Sequence, residues 1–272
     1  MAETQTKDMH QGANKSPLRW LLPLIVVVIV GIIAAVVLTN NNTPGDETPP
    51  PEPTPLLAQV VENIRQVDTF RLLIEQTGVA YPFGVSLDEG QSVVYATMRR
   101  GEGQYQAPNI MYASVNLKVG ALPVLAVELF AEGLDQWFKL ANQWINYPIA
   151  DGFNPGDLIA ENTGFSQAIN QLKAVEYIGT QTLYDGTESW LVRGSAQGQV
   201  INDLLFNLLS IEQEVMVDVY IDQATTLPAL LVVTLPDTAS DSEDDTAWRI
   251  EIYDYNTELD FTPPNRSADA GE

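Results

Sequence analysis

The sequence predicts an α+β protein: a strongly curved antiparallel half-barrel of about ten strands, covered by a few helices and preceded by one transmembrane helix. Three observations point there. Runs in which apolar and polar side chains alternate recur from Phe70 to Tyr255, whereas helical spacing is confined to short segments. A charge-free stretch of 19 residues, Trp20–Leu38, stands near the N-terminus. An antiparallel sheet of that many strands has to curl.

The chain opens on a tail, residues 1–19, bearing Lys7, Lys15 and Arg19 against Glu3 and Asp8. At about 1.5 Å per residue the apolar run that follows makes a helix of roughly 28 Å, close to the hydrocarbon thickness of a bilayer. Pro23 and Gly31 are tolerated in such helices, and the polar stripe expected of a buried core helix is missing. Bases lie before the span, and the nearest charges after it are Asp46, Glu47 and Glu52. The tail is therefore expected in the cytoplasm and the rest of the chain outside it. A cleaved signal peptide is the rival reading, but its apolar core is usually about 7–15 residues and ends in a small-x-small site. Ala34-Ala35 offers little of that kind, so residues 20–38 read as an uncleaved, single-pass signal anchor in the cell membrane.

Residues 39–55 read as a proline-rich linker, extended at about 3.1 Å per residue. Residues 56–264 are long enough for one large core. Leu56–Ile64 predicts a short amphipathic helix. Strands are expected around Phe70–Ile74 and Met111–Val119, and over Ser92–Arg99, Pro123–Phe130, Gln136–Leu140 and Ala174–Tyr184. Four more follow, Glu188–Gly194, Glu214–Ile221, Ala229–Leu235 and Trp248–Tyr255. Asp185-Gly186 is a two-residue hairpin signal, because both central positions favour positive φ. One helix is expected within Pro155–Leu172, broken near Gly164. Another is expected over Gln199–Ser210, where Val200, Ile201, Leu204, Leu205, Leu208 and Leu209 form a wide apolar face. Gly101-Glu102-Gly103 lacks the third glycine of a dinucleotide fingerprint and reads as a turn. Residues 265–272 form a polar C-terminal tail.

Composition removes whole classes of chemistry. There is no cysteine, hence no disulfide, thiolate metal site, cysteine nucleophile or lipidated cysteine. The one histidine, His10, lies in the tail, so His-dependent triads and His-ligated metals are excluded from the main domain. The chain carries a net −23, and everything beyond residue 38 carries −24, which argues against nucleic-acid binding. The acidic run Asp237–Asp245 supplies oxygen ligands but lacks EF-hand spacing, and reads as a solvated loop; no metal site, cofactor or catalytic residue is expected. Trp137, Trp144 and Tyr147 cluster near a strand end, where packing is set against stacking on sugars or contact with a bilayer interface. A carboxylate pair for glycoside hydrolysis is unavoidable among so many acids and so carries no information.

The stretch Tyr177–Gly194, with Gly179, Asp185-Gly186 and Gly194, resembles the glycine-bounded hairpin of the LppX/LprAFG lipoproteins, themselves similar to LolA-type lipoprotein carriers. Two further stretches agree in order: Val217–Asp222 followed by Thr226-Leu227-Pro228, and Trp248 through Tyr255 to Pro263-Pro264. The resemblance spans nearly all of Leu56–Pro264. It implies a half-barrel whose helices close an apolar cavity for acylated lipids or glycolipids, with an envelope transport protein as a further partner. The departure is the anchor, since members of that family typically begin at a lipidated cysteine.

The mechanism expected is non-covalent: acyl chains leave water for an apolar face at about 0.8 kcal/mol per buried methylene. Candidate lining residues are the inward phase of the strands, Phe70, Leu72, Ile74, Met111, Val115, Leu117, Leu125, Val127, Val215, Val217, Ile250 and Ile252. The covering helix adds Leu204, Leu205 and Leu208. Sheet faces are buried whether or not a cavity exists, so periodicity leaves open a filled core in a structural or sensory envelope module that binds a protein.

Overall fold

The computed structural model describes residues 50–86, 93–147, 152–206 and 209–264. The expected cytoplasmic tail, membrane span, most of the linker, Leu208 and the C-terminal tail lie outside the described residues. No helix among the described residues is long and apolar enough to cross a membrane.

The domain opens with helix α1 (Pro53–Ile64), which begins inside the proline run rather than after it. Proline is favoured in the first turn because its missing N–H needs no partner there. Leu56, Leu57, Val60, Val61 and Ile64 bury one face of α1. Seven strands follow: β1 (Thr69–Thr77), β2 (Phe83–Ser86), β3 (Val93–Gln106), β4 (Ile110–Val119), β5 (Leu125–Glu132), β6 (Asp135–Leu140) and β7 (Gln143–Asn146). A 3-10 turn (Pro155–Leu158) and helix α2 (Gly164–Asn170) lead to β8 (Lys173–Thr182) and β9 (Glu188–Gln197). A 3-10 segment (Gly198–Leu205) precedes β10 (Glu214–Asp222), β11 (Pro228–Leu235) and β12 (Thr246–Tyr253).

The strands form one open, curved antiparallel sheet in the order β7-β6-β5-β4-β3-β1-β12-β11-β10-β9-β8, with β2 paired to β3. Consecutive strands lie side by side except β1 and β2, and β7 and β8, which form the two edges of the sheet. The two runs meet where β1 pairs with β12, from Arg71 opposite Tyr253 to Thr77 opposite Ala247.

Among the described residues twelve strands replace the ten expected, and several boundaries differ. Strand β3 runs through Gly101-Glu102-Gly103, so that segment is no turn. Gly101 lies opposite Val115 and Gly103 opposite Ala113, and a Cβ on Gly103 would stand 2.7 Å from the Met111 methyl and 3.1 Å from a Leu72 methyl. The larger neighbours lean into the space these glycines leave. The break expected near Gly164 is where α2 starts. Gly164 sits at φ +48°, and a Cβ there would meet the Leu158 carbonyl oxygen at 2.3 Å. The segment 198–205 is 3-10 rather than α-helical. Its Asn202 carboxamide accepts the Ile211 N–H, tying the segment back on itself. Tyr255 falls outside β12.

The face that carries the helices is fixed by contact: Phe70 of β1 meets Phe165 of α2 edge-on at 6.2 Å between ring centres. Register then assigns this inner face across the sheet. Leu72 and Ile74 share it with Ile252, Ile250, Leu231, Val233, Val217, Val219, Val192 and Ala196 on one side. Toward β7 it continues through Tyr105, Met111, Ala113, Val115, Leu117, Val127, Leu129 and Phe138.

On the outer face the registered row Glu176–Arg193–Asp218–Val232–Arg249–Glu75–Arg100 alternates in charge from β8 to β3, broken only at Val232. Arg193 holds Asp218 with two nearly parallel bonds of 2.6 and 2.8 Å, and Arg100 pairs with Glu75. Opposite charges directly across a ladder favour the native register.

Candidate functional site

The inner face divides into two parts with different surroundings. Over β1 and β10–β12 it is closed. Phe70, Leu72, Ile74, Val215, Val217, Ile250 and Ile252 are all buried, and so are Met111 and Val115 on β4. They form one cluster with α1, α2 and the 3-10 segment, to which Leu204 and Leu205 contribute. Their side chains are almost wholly withdrawn from solvent and pack against one another. Tyr105 belongs to the same cluster. It stacks on Phe70 at 4.7 Å, and burial pushes its phenol up to about 12. Its hydroxyl donates to the Pro108 carbonyl at 3.0 Å, which satisfies it.

Beyond Val115, at the far end of β4 and across β5–β7, the same face is accessible. Leu117, Val127 and Leu129 are half-buried, and Leu125, which pairs directly with Leu117, is exposed. Phe138 on β6 continues the strip as a half-buried residue, and Ile145 on β7 opposite it is exposed. The expected lining residues therefore fall into two sets. Leu117, Leu125 and Val127 border accessible apolar surface, and those on β1, β10 and β12, with Met111, Val115, Leu204 and Leu205, lie in the packed interior. Leu129, Phe138 and Ile145 were missed by the sequence reading. For Leu129 and Phe138 the signal was present in the phase of β5 and β6, where Leu129 follows Leu125 and Val127 at two-residue steps and Phe138 pairs with it across the turn; Ile145 lies on β7, which the periodicity did not reveal.

Chemistry on the outer face is structural. Trp137 packs on Phe130 at 5.6 Å, and Trp144 meets Tyr112 and Phe130 at 6.5 Å. The C-terminal segment after β12 returns over these rings, where Phe261 stacks on Tyr112 at 6.0 Å with the two planes only 6° apart. Tyr147, on the inner side, meets Phe138 edge-on at 6.4 Å. Glu128 accepts from Lys139 Nζ at 2.9 and 3.1 Å and from the Tyr112 hydroxyl at 2.9 Å. The Lys139 hydrogen bond, then that of Tyr112, holds the Glu128 carboxyl below its ordinary value. Burial first, and then Glu128, raises Tyr112 to about 12. These shifts belong to an ion pair outside the apolar strip.

The acidic loop is held by its own backbone: Asp245 Oδ1 accepts from Thr238 and Ala239 N–H at 2.8 and 2.7 Å. Among the described residues no group of three or more histidine or carboxylate side chains is arranged to hold a metal.

The profile of the LppX/LprAFG lipoproteins matches residues 52–261. Among solved structures, LprF from Mycobacterium bovis superposes with a TM-score of 0.57 at 15% identity, covering 79% of this chain and 98% of its own. Lipoprotein LppX from Mycobacterium tuberculosis gives 0.49 at 14% identity, covering 77% and 99%. A LolA superfamily protein from Nitrosomonas europaea gives 0.26 at 10% identity, covering 78% and 94%. None of the curated proteins compared matches the chain. At these identities the likeness to LprF speaks for the fold alone.

Proposed function

The chain belongs to the LppX/LprAFG lipoprotein family, and from that premise we propose that it is a membrane-anchored, extracytoplasmic protein that binds the acyl chains of a lipid or glycolipid. Residues 20–38 serve as the single-pass anchor and residues 39–55 as the tether. The observation that carries the reading is the accessible apolar strip Leu117, Leu125, Val127, Leu129 and Phe138, lying beside a closed core on the helix-bearing face. Monomeric soluble domains seldom leave a contiguous apolar face uncovered unless something binds it.

Acyl chains lie along this strip and exchange water for hydrocarbon contact at about 0.8 kcal/mol per methylene, while the polar head stays in solvent. Binding is non-covalent and needs no cofactor. A tether confines hand-over to lipids within its reach, to an acceptor or partner protein at the same membrane. The packed interior around Phe70, Val217 and Ile250 favours a second reading, in which the domain is a filled structural or sensory module that binds a protein. Organic extraction of the purified full chain followed by mass spectrometry separates the two. Stoichiometric acyl lipid supports the carrier, and repeated absence of lipid supports the filled module.

A further inference from the structure

The loop that joins β4 to β5 is apolar where a domain of this charge has reason to be polar. All six residues from Ala121 to Ala126 are exposed and none is polar: Ala-Leu-Pro-Val-Leu-Ala. Leu122 is 57% exposed, Val124 61% and Leu125 49%. Such a run has no reason to exist in a stable domain unless it meets a partner. Its own charge content is equally distinct. Between Glu102 and Glu128 there is no acidic residue, and the one charged side chain is the exposed Lys118, although the chain beyond residue 38 carries −24. Val93 and Tyr95, at the start of β3, are exposed at the same end of the sheet.

The acid-rich loop between β11 and β12 also lies at this end. It reaches as far as β3, the strand beside β4, where Glu243 stands 3.7 Å from Arg99 and is paired by it.

We infer that the β4–β5 loop is a membrane-docking tip that enters the headgroup and upper acyl region of a bilayer, with Lys118 beside the lipid phosphates. Two observations select a lipid surface as the occupant. The run itself combines exposed aliphatic side chains with Lys118 and carries no acidic residue, a composition that partitions to a bilayer interface. It is also continuous with the apolar strip, because Leu125 at its end pairs with Leu117 and is followed by Val127 and Leu129 on the inner face. The inference rests on the proposed lipid-binding role in one respect: that continuity gives an acyl chain a path from bilayer to strip without crossing water.

The absence of cysteine makes the test direct. Leu122→Cys in the full chain is labelled with an environment-sensitive fluorophore and placed in phosphatidylcholine vesicles carrying doxyl-labelled chains. Tyr184→Cys, at the opposite end of the sheet and 97% exposed, is the control. A tip seated about 5–10 Å into the interface loses roughly tenfold in quenching by aqueous iodide and gains quenching by doxyl lipid. The Tyr184 probe changes in neither. Equal iodide access at both sites overturns the inference. So does protection of the tip without doxyl quenching, which gives the loop to a protein. Val124→Cys supplies the second measurement if Leu122→Cys does not fold. Lipid extracted from the same samples keeps the two ideas apart. Doxyl quenching without bound lipid retains the tip and removes the carrier, and bound lipid without doxyl quenching does the reverse.

Discussion

Val127→Trp is the substitution that most sharply separates a lipid-binding strip from ordinary sheet packing. Val127 lies two residues from Leu125 and two from Leu129 on the accessible part of the inner face. At about 3.4 Å per residue, an indole there covers roughly 7 Å of the strip. If that excludes on the order of four methylenes at about 0.8 kcal/mol each, affinity falls by about 3 kcal/mol, or roughly two-hundredfold. The half-buried site lets the ring lie over open surface, so folding stability changes by less than about 1 kcal/mol. Val217→Trp is the matched contrast. Val217 is packed to 1% exposure, and the added volume there costs about 1–3 kcal/mol or more through overpacking. Lipid stoichiometry after organic extraction and urea unfolding followed by tryptophan fluorescence measure the two quantities on each variant. Full lipid loading of a folded Val127→Trp protein would refute the strip, and an unperturbed Val217→Trp protein would refute the closed core.

Three other outcomes are expected. Phe261→Ala removes the stacking on Tyr112 and the contact with Phe130 and lowers stability by about 1–3 kcal/mol, read from the urea midpoint. Gly78→Ala forces a side chain at φ +66° to within 2.0 Å of the Asp245 carbonyl oxygen. It costs about 2 kcal/mol or more, a fall of roughly 4–8 °C in Tm by calorimetry. Lys139→Met costs up to about 1 kcal/mol at pH 7, because the pair with Glu128 is partly exposed. The folded-state pKa of Glu128 is depressed below the ordinary value of about 4.3, so the pair contributes fully above that value and fades as pH falls through the folded value. Urea titrations should find wild type and Lys139→Met separated at pH 7 and converging in acid.

The alternating runs were legible because a half-buried sheet imposes a two-residue period, and the buried phases of β1, β4, β10 and β12 agree with it. The misread segments share one cause, which is that their local signal was outweighed by a distant neighbour. Gly101 and Gly103 look like turn residues until Val115 and Met98 fill the space at the first and Met111 and Leu72 the space at the second. The 198–205 segment has an α-like apolar period, yet Gly198 lies so close to Ile211 that a Cβ would stand 2.3 Å from its Cγ2; tertiary packing there overrides the helical pattern. Strand β7 escaped notice because it has four residues and its turn uses Ala141 and Asn142, both at positive φ, instead of a glycine. Alternation also named the inward side chains without saying which of them a helix would cover. That depends on where α1, α2 and the 3-10 segments settle on the sheet, and nothing in the sequence of Leu72 or Val127 encodes it.

The pairing of β1 with β12 makes the sheet two ribbons joined along a single seam, and its partners, Arg71 with Tyr253 at one end, stand far apart in the chain. Each ribbon can zip locally as it emerges, because its strands follow one another, but closing the seam carries the loop entropy of nearly the whole domain. The last strand has to form before Phe70 and Ile250 can share a common interior. Premature termination before Thr246 would strand both ribbons with raw greasy margins, ready for chaperones or proteolysis instead of service.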